Sequence, residues 1–244
     1  MAARPALTSL PAATMLFASL GGAAGVADAQ QAVSFPTTDG GVVYAEDSGD
    51  GGHAVVLAHG GRFTKESWRE QARALVAAGL RTLAIDFRGR GRSRGGPGAE
   101  ADDDQTHLDV LAAVAYLRDS GAERISLVGA SFGGWAVARA SAELPAGEID
   151  AVVLLAHSPV EHPERIGGRK LFVLARDDWS GSGTPRLPAI RDQYERAPEP
   201  KRMVLLEGSA HAQHVFATEQ GPRLLEEIRD FLLEQDGGAP PARR

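Results

Sequence analysis

Residues 129–134 read Gly129-Ala130-Ser131-Phe132-Gly133-Gly134 and follow the apolar run Ile125-Ser126-Leu127-Val128 directly. This stretch fits Gly-x-Ser-x-Gly between a predicted strand and a predicted helix over Phe132 to Leu144, the setting in which a serine is held on a sharp turn. Such a turn imposes strained backbone angles, so the neighbours two positions away must lack bulk. Gly129 and Gly133 meet that demand, and Gly134 lets the new helix approach the sheet. The helix also points the positive end of its dipole at the serine, which favours negative charge there.

Working outward, short apolar runs rich in Val, Ile and Leu alternate with amphipathic stretches. The runs are Ala54–His59, Arg81–Phe87, Ile125–Ser131, Ala151–His157, Lys170–Asp177 and Arg202–Glu207. They have the character of strands buried on both faces of a parallel sheet. Helix-like stretches lie between them at Lys65–Ala78, Asp104–Asp119, Phe132–Leu144, Pro188–Arg196 and Thr218–Glu234. Upstream, Val33–Phe35 and Val42–Tyr44 flank Asp39-Gly40-Gly41, which reads as a hairpin. The order predicts an α/β fold: an N-terminal antiparallel hairpin, then a mostly parallel, doubly wound sheet with helices on both faces.

The 244 residues show no compositional break, so one domain over residues 30–235 is expected, followed by a disordered Gly-, Pro- and Arg-rich tail at 236–244. An apolar share of 43 % with 24 % charged residues suits a soluble chain with a sizeable core. The net charge of −6 gives no reason to expect a nucleic acid or an anionic membrane as partner. With no cysteine, thiolate metal sites and cysteine nucleophiles are excluded. Arg4 precedes a small-residue apolar stretch from Ala6 to Ala27, and Ala27-Asp28-Ala29 has the small-x-small pattern of a cleavage site. Residues 1–29 are therefore read as a signal peptide and the protein as periplasmic or secreted. The alternative is an alanine-rich extension on a cytoplasmic protein. Pro11 and Gly21, Gly22 and Gly25 argue against a membrane-spanning helix.

In parallel α/β sheets, ligands sit beyond the carboxyl ends of the strands. Ser131 follows one apolar run, Asp177 and Asp178 a later one, and Ser209-Ala210-His211 the last. A nucleophile, an acid and a histidine in that order, each past a different strand, is the chain order of one class of serine hydrolase.

The sequence resembles the α/β-hydrolase superfamily, in its esterase-like form, over roughly residues 33 to 234. Five stretches carry the likeness. They are Leu57-Ala58-His59-Gly60-Gly61; Asp86-Phe87-Arg88-Gly89-Arg90-Gly91-Arg92-Ser93; the serine turn; Ala175-Arg176-Asp177-Asp178; and Gly208-Ser209-Ala210-His211. The departure is Ala175-Arg176, where many relatives have Gly-x before the acid.

The resemblance implies Ser131 as nucleophile and His211 as its base. Asp178 is then the acid that orients the histidine, with Asp177 in reserve. Backbone N–H groups of Gly61 and Phe132 are the expected oxyanion donors. His59 is expected to buttress the His-Gly turn, and His214 is the rival base. Phe63, Trp135, His157 and Trp179 are candidate substrate-binding walls. No cofactor is implied. No metal is expected either: no zinc-binding histidine spacing occurs, and Asp102-Asp103-Asp104 reads as a charged helix start rather than a calcium loop.

Only Pro159 to Arg169, eleven residues, separate two of the apolar runs, too few for the helical lid many relatives insert there. The expected partner is thus a small-molecule acyl substrate with a small or protruding acyl group, an ester or a thioester. Ser131 argues against dehalogenase or epoxide-hydrolase chemistry, which need a carboxylate at the turn. Peptidase and cofactor-free peroxidase chemistry, and a non-catalytic binding module, stay open, as does the oligomeric state.

Overall fold

The computed structural model describes residues 30–234; the expected signal peptide at 1–29 and the tail at 236–244 lie outside the described residues. Eight strands form one sheet in the order β1-β2-β4-β3-β5-β6-β7-β8. They are β1 Gln31–Pro36, β2 Val42–Ser48, β3 His53–Ala58, β4 Arg81–Ile85, β5 Arg124–Ala130, β6 Ala151–Leu155, β7 Arg169–Ala175 and β8 Lys201–Leu206. β1 and β2 form the expected antiparallel hairpin, β2 pairs antiparallel with β4, and every later pairing is parallel. The helices are α1 Arg69–Ala77, α2 His107–Asp119, α3 Phe132–Glu143, α4 Leu187–Arg196 and α5 Gly221–Leu233.

The crossovers fix where the helices lie. From β3 the chain steps one way to β4, then returns past β3 to β5. Two right-handed crossovers in opposite directions put α1 and α2 on opposite faces, and the later steps keep α3 and α4 on the side of α2. Phe216, in the short helical turn before α5, packs edge-on against Trp68 at the start of α1, which brings α5 to the face of α1. The central strands are apolar throughout because both faces are covered: Val55, Val56 and Leu57 of β3 are fully buried, as are Val152, Val153 and Leu154 of β6.

Strand β2 runs four residues beyond the expected end at Tyr44, through Ala45, Glu46, Asp47 and Ser48. Its polar end is held by partners far away in sequence. Asp47 takes two hydrogen bonds from Arg81 (2.9 and 2.6 Å) and one from the Tyr116 hydroxyl (3.0 Å). Between β6 and β7, residues 156–168 form a loop with one short turn at Pro163–Arg165, and no lid domain is inserted.

The chain reverses its direction of travel between β3 and β5. That reversal opens a crevice beyond their carboxyl ends, where ligands bind in such sheets. β3 delivers His59-Gly60-Gly61 to it, and β5 delivers Ser131.

Candidate active site

Ser131 has φ 52° and ψ −113°, a conformation L-residues rarely adopt. The turn forces it, and close packing keeps it. A methyl on Gly133 would lie 2.5 Å from the carbonyl oxygens of both Ala58 and His59, and one on Gly134 would lie 2.5 Å from His157 Cβ. The first turn of α3 is therefore pressed against the end of β3 on one side and the β6 exit on the other. The Ser131 N–H donates to Leu155 O (2.8 Å), and the Ser131 carbonyl accepts from the Trp135 and Ser158 N–H groups.

The structure brings the three expected groups together. His211 Nε2 lies 2.8 Å from Ser131 Oγ, and His211 Nδ1 lies 2.7 Å from Asp178 Oδ2. The Asp178 side chain is fully buried, whereas its neighbour Asp177 is exposed and its N–H bonds Gly208 O. Arg186 approaches the other Asp178 oxygen at 3.4 Å, and its backbone N–H closes the loop onto Asp178 O. His214 faces away from Ser131: it is exposed, with its ring against Phe63 at 5.1 Å.

The His-Gly turn is clamped from three sides. Gly60 O accepts from His59 Nδ1 (2.8 Å) and from the Phe63 N–H (3.0 Å). His59 Nε2 accepts from the Phe87 N–H (3.4 Å), so the ring is neutral with its proton on Nδ1, and burial lowers its pKa in agreement. A peptide unit is planar, with its C=O and N–H pointing opposite ways. Fixing Gly60 O therefore fixes the direction of the Gly61 N–H. A methyl on Gly61 would stand 3.8 Å from Phe132 Cβ, so the two expected donors flank the same small space. Phe132 is the first residue of α3, where the N–H has no intrahelical partner.

Sequence reading missed Gln213. Its Oε1 accepts the Gly60 N–H at 2.7 Å and its Nε2 donates to Ser67 Oγ at 2.9 Å. A glutamine two places after a histidine has no sequence signature. Asp39 was likewise read only as a turn residue. It is a counter-ion of Arg88, which bridges Asp39 (2.8 Å) and Asp109 (2.8 Å) while wholly buried. The arginine segment is thus a structural loop around a buried ion pair.

The four wall candidates part company. Phe63 is half-buried at the edge of the His-Gly turn. Trp135, half-buried, stacks on Phe132 (centroids 6.1 Å apart) and lines a groove of about 350 Å³ with Ala138, Arg139, Val160 and Arg165. Trp179 is 57 % exposed, so it is a rim residue rather than a wall. His157 corrects its expectation. It is 1 % exposed, edge-on to Phe172, and burial pushes its pKa down to about 4. The cause is Ala156, whose φ of 43° turns the chain after β6 so that the histidine backs α3 instead of facing the cleft. Among the described residues no group of three or more His, Asp or Glu side chains is placed to hold a metal ion, and no helix is long and apolar enough to cross a membrane.

Comparison with known proteins agrees with this architecture. A non-heme haloperoxidase of Rhodococcus erythropolis is 35 % identical over 122 residues, a stretch covering 50 % of this chain and 43 % of that protein. The chain thus matches less than half the length of that relative. An esterase of Pyrococcus furiosus superposes with a TM-score of 0.70 at 17 % identity, covering 84 % of this chain and 90 % of the other. A CIB-like hydrolase of Thermoplasma acidophilum gives 0.68 at 22 %, covering 84 % and 99 %. At these identities the two structures speak for the fold. The model of the alpha/beta hydrolase family matches residues 55–243, so the chain belongs to that family.

Proposed function

We propose that the protein is a serine hydrolase acting on small or protruding carboxylic esters, thioesters included, through Ser131, His211 and Asp178. The observation that carries this reading is the continuous contact from Asp178 Oδ2 through His211 to Ser131 Oγ, at 2.7 and 2.8 Å, on a strained serine. A carboxylate only accepts hydrogen bonds, so the histidine proton sits on Nδ1 and Nε2 faces the serine hydroxyl as a base. Ser131 Oγ attacks the ester carbonyl carbon while its proton passes to Nε2. The oxygen that gains the electron pair is received by the N–H groups of Gly61 and Phe132. Collapse breaks the bond to the leaving alcohol, which takes the proton from Nε2. Water then repeats the sequence on the acyl-enzyme and releases the acid. A short β6–β7 loop leaves the crevice shallow, which suits substrates that need no enclosing lid.

Turnover of 4-nitrophenyl acetate by Ser131→Ala tests the reading. The expected result is a loss of several orders of magnitude with the melting temperature nearly unchanged. A variant keeping more than about a tenth of the wild-type rate refutes it.

The haloperoxidase relative supports a second reading, in which hydrogen peroxide replaces water on the acyl-enzyme and releases a peracid. Peracid formation from acetate and peroxide, abolished in the same variant, is its measurement. We also propose export of the protein, with cleavage after Ala29. An intact mass from the producing cell that still includes Ala2 excludes it.

A further inference from the structure

We infer that Gln213 is a positioning residue that ties the base-bearing loop to the turn carrying the Gly61 oxyanion donor, so that the two arms of the site are held as one unit. The inference rests on the function proposed above and names a residue that this function does not require.

Gln213 is 6 % exposed, and a buried carboxamide is costly unless its polar atoms are used. Here both are. The oxygen accepts the Gly60 N–H at 2.7 Å, and the nitrogen donates to Ser67 Oγ at 2.9 Å. Ser67 Oγ in turn donates to Thr64 O at 2.6 Å. Residues 60–67 therefore wrap around one side chain that comes from the other end of the chain. The group required there must accept from an N–H on one side, donate to a hydroxyl on the other and carry no charge, which a carboxamide does.

A second observation points the same way. Ala212, between His211 and Gln213, has φ 48° and is 5 % exposed. A left-handed alanine is strained and persists where the surroundings impose it. At this place it turns the chain so that His211 reaches Ser131 and Gln213, two residues on, reaches Gly60.

The peptide linking Gly60 to Gly61 carries the donor. His59 and the Phe63 N–H hold its carbonyl end, and Gln213 holds the peptide before it. Loss of Gln213 frees that preceding peptide and lets the donor direction wander, which harms the tetrahedral state and spares substrate capture.

Gln213→Met and Ser67→Ala are made singly and together in the full chain. Gln213→Met is expected to lower kcat roughly 10- to 100-fold with KM within about threefold, a smaller loss than deleting an oxyanion donor outright. The affinity for a phenylboronic acid, which mimics the tetrahedral state, should fall in parallel. Ser67→Ala is expected to lower kcat a few-fold, and the double variant to match Gln213→Met alone, because Ser67 acts through Gln213. Hydrogen exchange of the Gly60 amide, followed by NMR, should rise at least about tenfold in Gln213→Met whether or not the protein turns over an ester. A folded Gln213→Met with unchanged kcat, unchanged Gly60 exchange, or equal losses in kcat and KM overturns the inference, as do additive losses in the double variant. Should Gln213→Met not fold, unchanged kcat in Ser67→Ala overturns it. An active Ser131→Ala sinks the proposed function instead, and the Gly60 exchange still decides the tether.

Discussion

The two ends of the sheet are built to different rules. At the carboxyl end lie the three non-glycine residues with positive φ among the described residues, Ser131 (52°), Ala156 (43°) and Ala212 (48°), each within a few residues of a strand or at a turn facing the crevice. Two histidines there, His59 and His157, are held neutral by burial. At the amino end, charges are simply matched. Asp150 accepts from Arg124 at 2.9 Å and from Arg169 at 2.8 Å, with His53 3.9 Å away, and no non-glycine backbone there is left-handed among the described residues. Backbone strain gathers where chemistry is proposed; ion pairing closes the opposite end, where burial also pushes the His53 pKa down to about 4. Changes at the carboxyl end should therefore strike turnover before stability, and changes at the amino end the reverse.

The sharpest test compares neighbours. Asp178→Asn should lower kcat/KM by roughly 10³ to 10⁴, because an amide admits the wrong histidine tautomer and cannot offset imidazolium charge. Asp177→Asn, exposed beside it, should stay within a few-fold of wild type. Two nearly active variants would remove the acid from the site as drawn.

Acid offers the next contrast. His157 has a pKa of about 4 in the folded chain against about 6.5 unfolded, so its stabilising effect is complete above pH 6.5 and is lost as pH falls toward 4. Between pH 7 and 4.5 that is roughly 2 to 3 kcal/mol. His157→Phe should flatten the fall in unfolding free energy over this window, while His53 and His59 keep their shares. Parallel curves for variant and wild type would show that burial of His157 is not what acid reverses.

Asp150→Asn carries the comparison to the other end. A neutral amide cannot offset two guanidinium charges, and a loss of about 1 to 2 kcal/mol in stability is expected, with kcat unchanged. A large fall in kcat would break the division between the ends. Smallest of all, Ala212→Gly should relieve the left-handed backbone and stabilise by about 0.5 to 1 kcal/mol, read from chemical denaturation.

Which parts could be read from sequence follows from what sequence records. The central strands were legible because burial on both faces leaves continuous apolar runs, and Ser131 because its turn needs small neighbours. The end of β2 was not, since Glu46, Asp47 and Ser48 look like a loop until Arg81 and Tyr116 are seen to meet Asp47. The choice between Asp177 and Asp178 depended on which side chain turns inward. His157 was misplaced for a similar reason, as a single left-handed residue before it reverses its facing. Gln213 and Asp39 act through partners 153 and 49 residues away, and no local pattern reports such contacts.

The loop at 156–168 has an implication for evolution and for engineering. The serine turn, the His-Gly turn and the base loop are each locked to another strand end, so lengthening any of them would displace a reacting group. The β6–β7 connection is anchored at Pro163 and Ile166, yet Glu161, His162 and Glu164 at its tip are exposed. Glu161 O and Glu164 meet Arg196 at the last turn of α4 (3.0 and 3.3 Å), at the far end of the helices from the crevice, so chain inserted at that tip would leave Ser131, Asp178 and His211 where they are. A tag or a further module can thus be grafted at one address without rebuilding the reaction centre.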